Sequence, residues 1–173
     1  MRHGILCFVL VLTASLAAQT QPPQRATDAA RAEVSGRQAQ ITTSASTAVV
    51  HAGERITLAV EVSLRPGVHV YAPGVEGYIP ISWTLAESAA YKAHDAEMPA
   101  SHNLRLEAIG ETVPVYEGRF RLVRDVTIGS DSAVHEGALT ISGALRYQAC
   151  DDRVCYKPEK LPLAWALTVA PRK

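Results

Sequence analysis

The sequence predicts an all-β protein, an antiparallel two-sheet sandwich of immunoglobulin-like architecture. Three observations carry that expectation. Five segments alternate apolar and polar side chains with period two. Turn signals rich in Pro, Gly and Asp fall between them. No long segment has a helical period, and no internal repeat is evident. Short strands joined by turns, without helices, are the pattern of a β-sandwich.

The first element is an export signal. Arg2 and His3 form a short positive start, residues 5–16 are apolar and uncharged, and Ser15 and Ala17 offer small residues for cleavage after Ala17. This is the pattern of a secretory signal peptide over residues 1–17, and the apolar run is shorter than the roughly 20 residues that span a bilayer. Cys7 lies inside the run and leaves with it. Residues 18–46 have no aromatic side chain and few large apolar ones, which predicts a flexible linker. The domain is expected over residues 47–173, a length that suits one core. Cleavage removes Arg2 from 17 basic and 17 acidic residues, leaving 16 against 17. That balance gives no reason to expect a nucleic-acid partner, and no charge block suggests a membrane surface. No other segment is apolar enough to span a membrane, so the mature chain is expected in the periplasm or secreted.

The expected strands follow in order. Ile56, Leu58, Val60, Val62 and Leu64 share a face, then Ile79, Ile81, Trp83 and Leu85, then Phe120, Leu122, Val126 and Ile128. Leu139, Ile141, Leu145 and Tyr147 share another, and Leu161, Leu163, Trp165, Leu167 and Val169 close the set. Trp83 and Trp165 are assigned to the core. Residues 88–113 are least patterned, and residues 98–102 read as loop. The turns include Arg65-Pro66-Gly67, Ala72-Pro73-Gly74 and His135-Glu136-Gly137.

The stretch RYQACDDRVCYKPE, residues 146–159, holds both remaining cysteines. Outside the cytosol disulfides persist, and any intramolecular bond in the mature chain must join Cys150 to Cys155. A polar hairpin loop of residues 151–154 would bring their Cα atoms to about 4.5–5.5 Å, within disulfide range. Three readings stand open. As a staple the pair is weak, because so short a loop contributes roughly 2 kcal/mol. A metal centre lacks ligands: His51, His69, His94, His102 and His135 are scattered, none adjoins the pair in sequence, and no Met-rich stretch suggests copper. A redox couple needs a reachable sulfur. Cys150 shares parity with Thr140, Ser142, Arg146 and Gln148, which puts it on the polar, reachable face. Cys155 shares parity with Leu161, although Pro158 interrupts the count. Asp151 and Asp152 should raise thiol pKa values, and Arg153 and Lys157 should lower them.

Tyr147, Gln148, Ala149, Cys150, Asp151, Cys155 and Pro158 resemble the motif of the amino-terminal, periplasmic domain of the thiol:disulfide interchange protein DsbD. Weaker likeness lies at Gly67-Val68-His69-Val70-Tyr71, an early strand ending in an aromatic, and at Val115-Tyr116-Glu117-Gly118. The resemblance implies an immunoglobulin-like domain that needs no cofactor and relays electrons. A thioredoxin-like donor would reduce the pair, and the pair would reduce disulfides of exported clients, such as disulfide isomerases and cytochrome c maturation factors. It implies that Cys155 forms the mixed disulfide and Cys150 resolves it. A mid-chain loop shields the pair in that family, which points to Pro114, Val115 and Tyr116. Val115 stands where an aromatic is expected, with Tyr116 as its substitute and Tyr71 as a further neighbour. The family's transmembrane segment and thioredoxin-like domain are not in this sequence, so the donor is expected to be a separate membrane-bound protein.

Overall fold

A computed structural model describes residues 30–107, 109–130 and 133–171. The expected signal peptide and residues 18–29 of the expected linker lie outside the described residues. The strands in chain order are β1 (Ala32–Ser35), β2 (Ala39–Ala45), β3 (Val49–Val50), β4 (Arg55–Leu64), β5 (His69–Tyr71), β6 (Ser82–Leu85) and β7 (Tyr91–Glu97). There follow β8 (His102–Leu106), β9 (Glu111–Glu117), β10 (Arg119–Ile128), β11 (Gly137–Tyr147), β12 (Ala149–Cys150) and β13 (Glu159–Val169). No α-helix occurs among the described residues.

The strands form three sheets, ordered β1-β2-β4-β10-β7, β3-β13-β11-β6 and β12-β5-β9-β8. All pairings are antiparallel except β3 with β13. The first two sheets face each other across one core. Ile41, Leu58, Val60, Val62, Leu122 and Val126 come from one side, and Trp83, Ile141, Leu145, Leu163, Trp165 and Leu167 from the other. Burial alternates along β13, where Leu163, Trp165, Leu167 and Val169 are buried and the residues between them exposed. That is the period-two pattern the sequence predicts.

The linker expectation is corrected over the described part of residues 18–46. β2 pairs with β4 through seven positions, Ala39↔Leu64 to Ala45↔Leu58. Its Ala39, Ile41, Thr43 and Ala45 are buried. Two hydrogen bonds then tie β2 to the facing sheet: the Thr43 hydroxyl donates to the Ala164 carbonyl at 3.1 Å, and the Trp165 indole donates to the Ser44 carbonyl at 3.0 Å. The domain therefore starts well before residue 47. Small residues can fill a strand's inward face when the opposite sheet supplies the bulk, here Trp165.

Residues 88–113 are also more ordered than the sequence suggests, containing β7, β8 and the start of β9. Residues 98–101 are loop as expected, and His102 opens β8. The strand expected from Ile79 begins only at Ser82.

Candidate functional site

The third sheet builds the site. β11 runs beside β13 up to Tyr147, then the chain leaves that sheet and enters β12 at Ala149. β12 pairs with β5, setting Cys150 opposite His69 and Ala149 opposite Val70. β9 lies on the other side of β5, with Val115 opposite Tyr71 and Glu117 opposite His69. One face of this sheet joins the main core through Val70, Tyr116 and Ala149. The other face carries a separate cluster of Tyr71, Val113, Val115 and Cys150.

Cys150 and Cys155 are joined by a disulfide with Cα atoms 4.0 Å apart, somewhat closer than the sequence suggested. They flank a tight turn in which Asp151 N–H donates to the Val154 carbonyl at 2.9 Å. The Asp151 carboxylate accepts the N–H groups of Arg153 and Val154 at 2.8 and 2.9 Å and the Tyr156 hydroxyl. These bonds, the tyrosine's foremost, hold its pKa down to about 2. Below the turn, the Gln148 amide donates to the Tyr156 carbonyl at 3.0 Å, and Tyr156 N–H to the Ala149 carbonyl at 2.8 Å.

The two sulfurs are unequal. Cys150 is 1% exposed, whereas Cys155 is exposed. This reverses the facing expected from residue parity. The parity runs along β11, but the chain changes sheets at Gln148, so the count does not carry across to β12.

Both cysteines line a cavity of about 480 Å³. Tyr71 and Tyr78 form one wall, their rings stacked at 4.2 Å. The Tyr71 hydroxyl lies 3.8 Å from Cys155 Sγ. Burial, with the Glu111 charge adding to it, pushes the Tyr71 phenol up. The Tyr78 hydroxyl donates to Glu111 at 2.7 Å, and that bond lifts its pKa to about 12. The β8–β9 hairpin also lines the cavity, through Leu104, Leu106 and Ile109. Gly110 turns the tip of that hairpin with φ +70° and donates its N–H to the Leu106 carbonyl at 2.8 Å, a conformation that favours glycine. Ile109 and Val154, both exposed, stand at the rim.

The expected site residues divide into those at the cavity and those behind it. Cys150, Cys155, Asp151, Asp152 and Tyr71 line the cavity, and Gln148 braces the turn from below. Val115 is fully buried beside Cys150. Tyr116 points into the main core and donates its hydroxyl to the Pro99 carbonyl at 3.0 Å. Tyr147 is in the core as well, its hydroxyl donating to Glu159 at 2.7 Å. The expectation of a shielding loop at residues 114–116 is corrected: these residues are strand, paired on both sides with β5 and β8. The segment beside the pair is the hairpin tip a few residues earlier. Sequence reasoning missed Tyr78, Ile109 and above all His69, a histidine remote from the pair in sequence that cross-strand register brings opposite Cys150. Its one signal was position: it stands two residues before Tyr71, on the same face of an extended strand. Among the described residues no group of three or more His, Cys, Asp or Glu side chains could hold a metal ion.

A model of the family described as thiol:disulfide interchange protein DsbD, N-terminal, matches residues 37–163. Among solved structures, the N-terminal periplasmic domain of ScsB from Proteus mirabilis is similar at a TM-score of 0.54 and 16% identity, covering 81% of this chain. The chain spans about half of that solved chain, 51%; the likeness is one of fold. AggA, the major subunit of aggregative adherence fimbriae type I from Escherichia coli, gives 11% identity over 78% of this chain and 97% of that one at a TM-score of 0.36, too low to carry an argument. No protein with a curated description matches.

Proposed function

Because the chain belongs to the family of the N-terminal domain of the thiol:disulfide interchange protein DsbD, we propose that it is an exported protein-disulfide reductase relay. Cys150 and Cys155 are its working couple. The observation that supports this most is the inequality of the two sulfurs. An exchanging pair needs one sulfur that a partner can reach and a second held beside it to finish the reaction. Cys155 is exposed and Cys150 is 1% exposed.

In the reducing direction the Cys155 thiolate attacks a client disulfide, and a client thiolate leaves. The mixed disulfide between Cys155 and the client is then attacked by Cys150, which restores the Cys150–Cys155 bond and frees the second client thiolate. A thioredoxin-like donor returns two electrons to the pair. The clients are oxidised exported proteins, cytochrome c maturation factors and disulfide isomerases among them. Tyr71 packs against the exposed sulfur, and the hairpin tip bearing Ile109 covers one side of the cavity.

The reduction potential, from equilibration with glutathione or dithiothreitol buffers and thiol trapping, tests this reading. A value of about −200 to −270 mV is expected. A value below about −300 mV would make the pair a structural staple, and the protein a binding module. Trapping tests the roles: Cys150→Ala should accumulate a mixed disulfide through Cys155. Trapping through Cys150 in Cys155→Ala, and not in Cys150→Ala, would reverse them.

A further inference from the structure

We propose that His69 takes the proton from the Cys150 thiol in the step that resolves the mixed disulfide on Cys155. The proposal rests on the exchange reading above.

His69 stands at the centre of a row across the third sheet, with Cys150 opposite it on β12 and Glu117 opposite it on β9. Directly opposed residues of antiparallel strands project to one face with Cβ atoms about 4.5–5.5 Å apart. The side chains of Cys150, His69 and Glu117 therefore project from the same face of the sheet as neighbours in one cross-strand row. His69 is 2% exposed and lines the cavity that holds the disulfide. Its Nε2 is sealed from solvent and has no hydrogen-bond partner. A buried polar atom left unpaired is costly, and in a native site it calls for a cause. The disulfide supplies one, since in the oxidised protein neither sulfur carries a proton. Reduction gives Cys150 an S–H, a donor for an imidazole whose proton sits on Nδ1.

The groups around His69 suit an acceptor. Burial is the largest influence and keeps the ring neutral to lower pH than an exposed histidine. Glu117, Asp152 and Asp151 favour the protonated ring, in that order, and His102, 2.8 Å from Glu117, opposes it. Tyr71 meets the ring edge-on at 5.5 Å.

The step balances as follows. His69 takes the Cys150 proton, and the sulfur's electron pair forms the bond to Cys155 Sγ. The bond from Cys155 to the partner breaks, and its electron pair leaves on the partner's sulfur, which is protonated by water. The imidazolium then returns its proton to solvent. The pair has lost two electrons and the partner disulfide has gained them.

The reduced full chain, mixed with 5,5′-dithiobis(2-nitrobenzoate), reports both events by stopped flow. The first release of thionitrobenzoate is attack by Cys155, and the second is resolution by Cys150. In the wild type the second phase should be nearly flat from about pH 6.5 to the free-thiol range near 8.5. In His69→Phe and His69→Gln it should rise about tenfold per pH unit and be at least about tenfold slower near pH 6.5. The first phase should change less than about twofold. A wild-type second phase rising tenfold per unit over that range would overturn the proposal without reference to any variant. So would variants whose second phase matches the wild type. Release of a single equivalent, with the adduct persisting on Cys155, would instead defeat the exchange reading itself.

Discussion

Asp151 accepts two backbone N–H groups and the Tyr156 hydroxyl, so one carboxylate holds the turn between the cysteines. Its pKa falls from 3.8 to about 2 on folding. A depressed carboxyl pKa contributes stability that is complete above the unfolded value and is lost as pH falls through the folded one. The gap in urea stability between wild type and Asp151→Asn should therefore be constant above about pH 5 and narrow from about pH 4 toward pH 2. A gap that does not change over that range would show that the carboxylate's charge does not matter to the turn. The sequence shows Asp151 as an acidic neighbour of a thiol. Only the structure reveals that its oxygens are spent on the turn, because those bonds depend on how the loop closes. Arg124 illustrates the same limit: its guanidinium lies over the Trp83 ring at 5.0 Å and donates to the Trp83 carbonyl, a pairing across 41 positions of sequence.

At the scale of elements, β2 makes the sharpest prediction. Ile41 is fully buried between the two sheets, so Ile41→Ala should cost about 2–5 kcal/mol in denaturant unfolding. A cost below about 0.5 kcal/mol would mean the strand is peripheral. Gly36, in the turn before β2, tests how that hairpin is seated. A Cβ there would fall on the Tyr147 hydroxyl and the Glu159 carboxylate, which also accepts the Arg37 N–H. Gly36→Val should lower stability by about 1–3 kcal/mol, whereas an unchanged melt would place those groups elsewhere. The long strands β4, β10, β11 and β13 were legible because each sets large apolar residues at most alternate positions, with smaller or polar ones between, over ten or eleven residues. β2 alternates Ala, Ile, Thr and Ala, too little hydropathy to register. β5 has three residues and β12 two, too few to show any period. The cysteine pair was legible from its motif, but its facing was not, because the sheet change at Gln148 leaves no mark in the alternation.

The whole molecule separates the site from what holds the fold together. The disulfide closes a turn between residues five apart on the outer face of the third sheet, whereas Trp165 and Ile141 fill the core between the other two. Reduction should then leave the sandwich folded, with a stability loss of about 2 kcal/mol and a melting temperature lowered by less than about 10 °C. Unfolding in dithiothreitol at room temperature would show that the bond is structural. The register that joins His69 to Cys150 also sets a timetable. A ribosome adds about 5–20 residues per second, so the imidazole at position 69 is made about 4–16 seconds before the thiol at position 150. By the time both cysteines exist, strands β1 to β11 have already been synthesised. The turn that carries both sulfurs is the last part of the cavity to be made, after the strands that supply its other lining residues.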